Sequence, residues 1–216
     1  GVGVMSKAPR VALQDAWDDV EGLSRPSKMP CYSYNISALR CKVGSLLREI
    51  KGTTCGKCYA LTGNYMFPAV QDALERRYVA IFKPPWVDSM ATLIDALCSD
   101  VFRWHDSGDI QSVGHLDKIV NVARLTPRVR HWLPTREYKM VEAWRAANGD
   151  FPSNLVVRLS AHKVDGQAPQ VGLPTSTVTS RRVGVSGECP SLLQDNKCGD
   201  CRACWETTGN VAYIAH

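Results

Sequence analysis

The sequence predicts an α/β protein built on a parallel sheet, either a partial (β/α) barrel or an open parallel sheet, with cysteine-rich segments toward both ends. Three observations point there. Through the middle of the chain, apolar runs of strand length alternate with stretches of helical period. Each of those runs ends in a polar turn. Eight of the nine cysteines lie outside this alternation, four before residue 59 and four after residue 188.

Taken in order, residues 1–29 are expected to form an N-terminal segment ahead of a single domain over 30–216, and the stretch from Gly1 to Val4 before Met5 is left out of the fold reasoning. Two helices come first, separated by Pro84-Pro85: one over 68–82 with Val70, Ala73, Leu74 and Tyr78 on one face, one over 87–98 with Met90, Leu93, Ile94 and Leu97. Val101-Phe-Arg-Trp104 reads as a buried strand ending in the polar turn His105-Asp-Ser-Gly-Asp109. Helical spacing resumes over 113–125 through Leu116, Ile119, Val120 and Ala123, and stops before Pro127. The unit then repeats as strand 130–133, turn 134–136 and helix 137–147, closed by Asn148-Gly149. A further strand covers 155–159, residues 163–175 are irregular on their Gly and Pro content, and a short strand follows near 176–185. Strand, turn and helix in this alternation imply right-handed crossovers, and in such folds the loops after the strands carry the chemistry. His105, Asp106 and Asp109 are therefore candidates for proton transfer or substrate contact, with helix capping as the plainer alternative. Arg136 has the planar fork that clamps a carboxylate or phosphate, or it forms an ordinary ion pair. His162 belongs to the same polar set.

With 216 residues and 44% apolar content, the chain can bury a real core. No apolar run approaches the ~18 residues of a membrane helix, so no membrane partner is expected. The formal charge of +5 is spread without a basic half, and Arg124, Arg128, Arg130 and His131 beside Pro127 read as a solvated loop, as does the pair Arg181-Arg182. Nucleic acid is therefore not favoured, since phosphate binding needs clustered cations.

The cysteines read as ligands. Near the C-terminus stand Cys189-Pro190 and Cys198-Gly-Asp-Cys201-Arg-Ala-Cys204; near the N-terminus, Cys41 precedes Cys55-Gly-Lys-Cys58, with Cys31 a further candidate and Cys98 alone as a core residue. One Zn²⁺ needs four donors about 2.3 Å from one point, usually supplied as two separated pairs. Thiols repeated every third residue suit a [4Fe–4S] cluster better, because each can take a different iron while a remote cysteine takes the last. Zinc stays as the alternative metal, and whether there are one or two clusters is left open. Tyr59 and Trp205 directly follow cysteines and are candidate cofactor contacts, the indole as a screen against water or as plain core. An odd cysteine count and no charged-then-apolar leader favour thiols in a reducing cytosol over disulfides.

Several separated motifs carry a resemblance: Gly52-Thr-Thr-Cys55-Gly-Lys-Cys58-Tyr59-Ala60, Phe67-Pro-Ala-Val-Gln-Asp-Ala-Leu-Glu-Arg-Arg77, Trp104-His-Asp-Ser-Gly-Asp109, and Cys198-Gly-Asp-Cys201-Arg-Ala-Cys204-Trp205 with the closing Val211-Ala-Tyr-Ile-Ala-His216. On these the chain resembles the phage family called gene product 88. That family in turn is similar to radical-SAM enzymes, whose partial barrel holds a [4Fe–4S] cluster through three cysteines and leaves one iron for S-adenosylmethionine. The resemblance implies a cluster-binding protein in the cytoplasm of the infected bacterial host, with S-adenosylmethionine as a further cofactor and a small-molecule substrate or a host or phage protein as partner. Those enzymes use Cys-x3-Cys-x2-Cys, whereas this chain has Cys41-x13-Cys55-x2-Cys58 with the aromatic residue after the last cysteine. Two expectations stand side by side: a radical-SAM-like or redox enzyme, and a non-catalytic metal-stabilised protein that binds a partner.

Overall fold

The computed structural model describes residues 11–169, 172–182, 184 and 186–215. The leading 1–4 stretch, the end of the expected strand at Val185, and His216 lie outside them. In chain order the regular elements are α1 Leu13–Val20, β1 Ser33–Tyr34, α2 Lys42–Arg48, α3 Pro68–Ala80, α4 Trp86–Leu97, β2 Val101–Trp104, α5 Val113–Leu125, β3 Arg130–Thr135, α6 Tyr138–Asn148, β4 Leu155–Val164, β5 Thr175–Thr179, α7 Ala203–Glu206 and β6 Asn210–Ile214. Between α2 and α3 the chain advances through three 3₁₀ turns, Thr54–Lys57, Tyr59–Leu61 and Gly63–Met66.

The six strands form one sheet in the order β1-β2-β3-β4-β5-β6, every pair parallel. The order never reverses, and α4, α5 and α6, from the first three connections, lie on the same face. That face holds the main core. Phe102, Trp104, Leu133, Leu155, Val157 and Leu159 point from the strands into it, against Ala16 and Val20 of α1, Met90, Leu93 and Ile94 of α4, Leu116, Ile119 and Val120 of α5, and Trp144 of α6. Strand residues alternate between faces, so Val101 and Trp132 point the other way, into a second cluster with Met29, Cys31 and Trp205. The β5–β6 connection, with the short helix α7, covers that second face.

The expected elements of the middle of the chain are present, with shifts that have local causes. The helix expected over 68–82 starts with Pro68 at its first turn and ends at Ala80, and only Leu74 and Ala80 of it are buried, so α3 lies on the rim of the core. β4 runs on to Val164 into the stretch expected to be irregular, with a register shift between Ser160 and Val164. α1, inside the 1–29 stretch, buries Ala16 and Val20 in the main core. Among the described residues, no helix is long and apolar enough to cross a membrane.

Candidate metal centres

The tertiary structure sorts the cysteines into two places. All nine are free thiols. The first place is at the carboxyl end of the sheet. Cys41 is the N-cap residue of α2, and buried Gly44 follows in its first turn. A Cβ on Gly44 would stand 3.0 Å from Cys41 Cβ, 3.5 Å from Cys55 Sγ and 3.8 Å from Cys41 Sγ, so the two sulfurs share the small space that the glycine leaves. Thr53, buried, holds the Cys55 turn: its Oγ1 accepts the Gly56 N–H at 3.2 Å and donates to Ile50 O at 2.9 Å. Thr53 also bridges to Lys163 at the end of β4.

Loops after β2 and β3 close around these thiols. Asp109 accepts from the Thr135 hydroxyl at 2.6 Å, from Ile110 N–H at 2.8 Å and from Arg136 N–H at 3.0 Å. Arg136 Nε donates to Thr54 Oγ1 at 3.1 Å, and Glu137, also buried, accepts the Val43 N–H at 2.9 Å. His162 stacks on Tyr138 with ring centres 4.5 Å apart, beside the Arg136 carbonyl. Burial pushes the Cys41 thiol well above its usual range, and Asp109, Cys58 and Cys55 act in the same sense while the Arg136 guanidinium opposes them. Cys55 is raised by burial too, against Arg136. Burial lifts Asp109 to about 6 despite its three hydrogen bonds. Neutral thiols in such a setting lose their protons when a metal takes them.

The second place is the opposite face, covered by the β5–β6 connection with α7. Cys189 N–H donates to Ala212 O of β6 at 2.7 Å, Cys198 N–H to Lys28 O at 3.0 Å, and Cys201 N–H to Cys198 O at 3.0 Å. Cys204 Sγ and the Tyr213 hydroxyl are hydrogen-bonded at 2.9 Å. Burial pushes Cys204 up to about 11, while the Tyr213 hydrogen bond and the guanidinium groups of Arg103 and Arg158 favour its thiolate. Arg158 of β4, with no exposed surface, gathers the carbonyls of Thr175, Gly209, Cys204 and Thr207, which fastens the C-terminal segment to the sheet.

The two places are joined by one side chain. Asp106 accepts from the hydroxyls of Tyr59 and Tyr65, and its other partner is Arg103 at 3.2 Å, whose guanidinium lies 4.3 Å above the Trp132 ring on the second face. Tyr59 is otherwise half exposed.

Other expected residues fall differently. Cys31 does not join Cys41: it is buried in the second cluster, with Cys98 and Cys198 close enough to help burial raise its thiol to about 12. Cys98 is core, as expected, though it caps α4 instead of lying on its face and has Cys31 as neighbour. His105 turns away from the thiols into the main core, with left-handed φ of 57°, against Trp104 and His115. Burial drops it to about 3, which keeps it neutral. Trp205 packs edge-on against Trp132 and spends its N–H on Phe102 O at 2.9 Å. Of the stretch read as a solvated basic loop, Arg124, Arg128 and Arg130 are exposed, Arg128 pairing with Asp95 and Arg130 with Glu206 at the surface, whereas His131 is fully buried. Arg182 pairs with Glu188 at 2.7 Å. Sequence reasoning gave no part to Arg103, Arg158, Tyr65, Tyr213 or Glu137; the signal available was a single charge inside each of the apolar runs Val101–Trp104 and 155–159.

Among the described residues, no three His, Cys, Asp or Glu side chains stand close enough to hold one metal ion as they are. The family model described as gene product 88 matches residues 20–207. No curated protein and no solved structure matches the chain.

Proposed function

The chain belongs to the gene product 88 family, and on that premise we propose that it is a bacteriophage iron–sulfur protein acting in the reducing interior of the infected cell. The observation that carries the reading is the sorting of free thiols from distant segments into two places on one sheet. Cys41, Cys55 and Cys58 would hold a cluster at the carboxyl end. Cys189, Cys198, Cys201 and Cys204 would hold a second one on the opposite face. What favours a cluster over Zn²⁺ is the spacing in the sequence: a single ion usually takes two separated pairs of donors, whereas the thiols of Cys198, Cys201 and Cys204, repeated every third residue, suit a cluster that spreads its ligands over several irons. A bound cluster of this kind supplies one electron at a time.

The chain's own residues suit the first centre to an enzyme. Three thiols leave one iron without a protein sulfur. Around it, Asp109 brackets the loops after β2 and β3 and so fixes Arg136, and among the described residues the Arg136 guanidinium has no carboxylate partner and is free to take an anionic group of a substrate or of S-adenosylmethionine. One-way winding of a parallel sheet with its ligands at the carboxyl ends also agrees with a radical-SAM-like arrangement. The alternative, a non-catalytic metalloprotein that engages a host or phage partner, is favoured by Leu39, Leu46, Ile50, Met66 and Phe67, all exposed around the same cysteine segment.

Purification without oxygen, followed by assay of iron, acid-labile sulfide and zinc, tests the reading. A brown protein with about four irons per chain fits one cluster and about eight fits two; a colourless zinc protein overturns it. In the loaded protein, S-adenosylmethionine binding by calorimetry and release of 5′-deoxyadenosine on reduction separate the enzyme from its alternative, which predicts neither and instead a stable complex from infected cells.

A further inference from the structure

Several N–H groups around the C-terminal thiols have no acceptor, Nε of Arg103, Nε of Arg158 and Nε1 of Trp132, whereas Arg202 Nε faces the Asp100 carboxylate at 3.6 Å. A buried donor without a partner costs about 1–3 kcal/mol, and native proteins keep such groups few and scattered. Here three lie on the face of the sheet that carries the C-terminal thiols. Charge is left over as well. Arg158 is wholly buried, and among the described residues its only partners are backbone carbonyls. Arg103 shares its one carboxylate, Asp106, with two tyrosine hydroxyls. Both guanidinium groups act on Cys204, and Arg103 acts on Cys198 and Cys31. A buried cation without an anion is strongly unfavourable, so the site is built around a negative group that also accepts hydrogen bonds.

We propose that this group is a fully ligated, anionic iron–sulfur cluster on Cys189, Cys198, Cys201 and Cys204, and that Arg103 and Arg158 offset its charge while their Nε–H groups and Trp132 Nε1–H donate to its sulfurs. The proposal rests on the iron–sulfur reading above and adds to it the residues that set the cluster's reduction potential. Reduction adds negative charge to the cluster, so nearby cations and N–H donors raise its potential. Arg103 and Trp132 are positioning residues in this sense: they never ligate iron, and they decide how readily the cluster takes an electron.

The test uses the full chain carrying Cys41→Ser, Cys55→Ser and Cys58→Ser, so that only the C-terminal cluster is left, with its potential titrated by electron paramagnetic resonance. Arg103→Gln is expected to keep about four irons and to lower the ratio of reduced to oxidised cluster at fixed poise at least tenfold, equivalent to about 59 mV for a one-electron couple. Arg103→Lys keeps the charge and should fall between. Trp132→Phe keeps the packing and removes one donor, so it should shift the same way by less; it decides the matter if Arg103→Gln does not fold. An iron-loaded Trp132→Phe and Arg103→Lys pair with wild-type potentials overturns this proposal alone, the orphan donors then serving water. A folded but iron-free triple-serine chain overturns the cluster reading of this site and the proposal with it.

Discussion

Gly108 shows what a single residue contributes to placing the site. Its φ of 88° is in the left-handed region, and a Cβ there would stand 2.3 Å from Ile36 Cγ1 and 2.9 Å from Ile36 O. The close approach lets Ile36 N–H reach Ser107 O at 3.2 Å and the Ser107 hydroxyl reach Ile36 O at 2.8 Å, which seats the loop after β2 on the chain leaving β1. Gly108→Ala combines a disfavoured backbone with overpacking, so it should cost about 2–4 kcal/mol in chemical denaturation; wild-type stability would mean that the loop is not packed on Ile36. At this scale the cysteine pattern was legible, because closely repeated thiols stand out whatever the fold, and the metal proposal starts from it. Arg103 and Arg158 were not. Each sits in an apolar run that reads as buried on both faces, and its meaning depends on what covers the second face.

Among the elements, α4, α5 and α6 were legible from their apolar period, since each packs one broad stripe on the sheet. The segment from α2 to α3 was not, because 3₁₀ turns of three or four residues are too short to show a period. It is held by side-chain hydrogen bonds, chiefly those of Tyr59 and Tyr65 to Asp106. Asp106→Ala leaves the Tyr65 hydroxyl and Arg103 without their carboxylate, while Tyr59 keeps the Asp106 carbonyl, so the stretch over 54–67 should open locally at a cost of about 1–3 kcal/mol. Hydrogen exchange should quicken there while α5 and α6 keep wild-type protection; uniform protection across the chain would show that Asp106 does not anchor the segment. The same substitution should loosen the cysteine turn at Cys58, which adjoins Tyr59.

For the molecule as a whole, buried neutral histidines make the fold acid-sensitive. His131 has no exposed surface, accepts the Trp104 indole N–H at 3.1 Å, and bonds through its other nitrogen to Thr126 Oγ1 at 2.8 Å. Burial lowers it to about 3 from an ordinary value of 6.5, so between those limits the unfolded chain binds the extra proton. The stability that neutral His131 contributes is whole above pH 6.5 and drains away as pH falls toward 3, at up to about 1.4 kcal/mol per pH unit. Thermal unfolding between pH 7 and pH 4.5 should therefore fall steeply in the wild type and less steeply in His131→Gln; parallel slopes would show that the histidine is protonated in the folded state. By itself the sequence determined the α/β class, the parallel alternation of the middle of the chain and the family, because period, turn residues and motifs are local properties of the chain. Only the tertiary structure decided that the winding is one-way, that Cys31 stands with the C-terminal thiols, and that two arginines lie beneath them. Those facts depend on which distant segments share a face of the sheet, and the side-chain pattern along one strand does not encode what lies across from it.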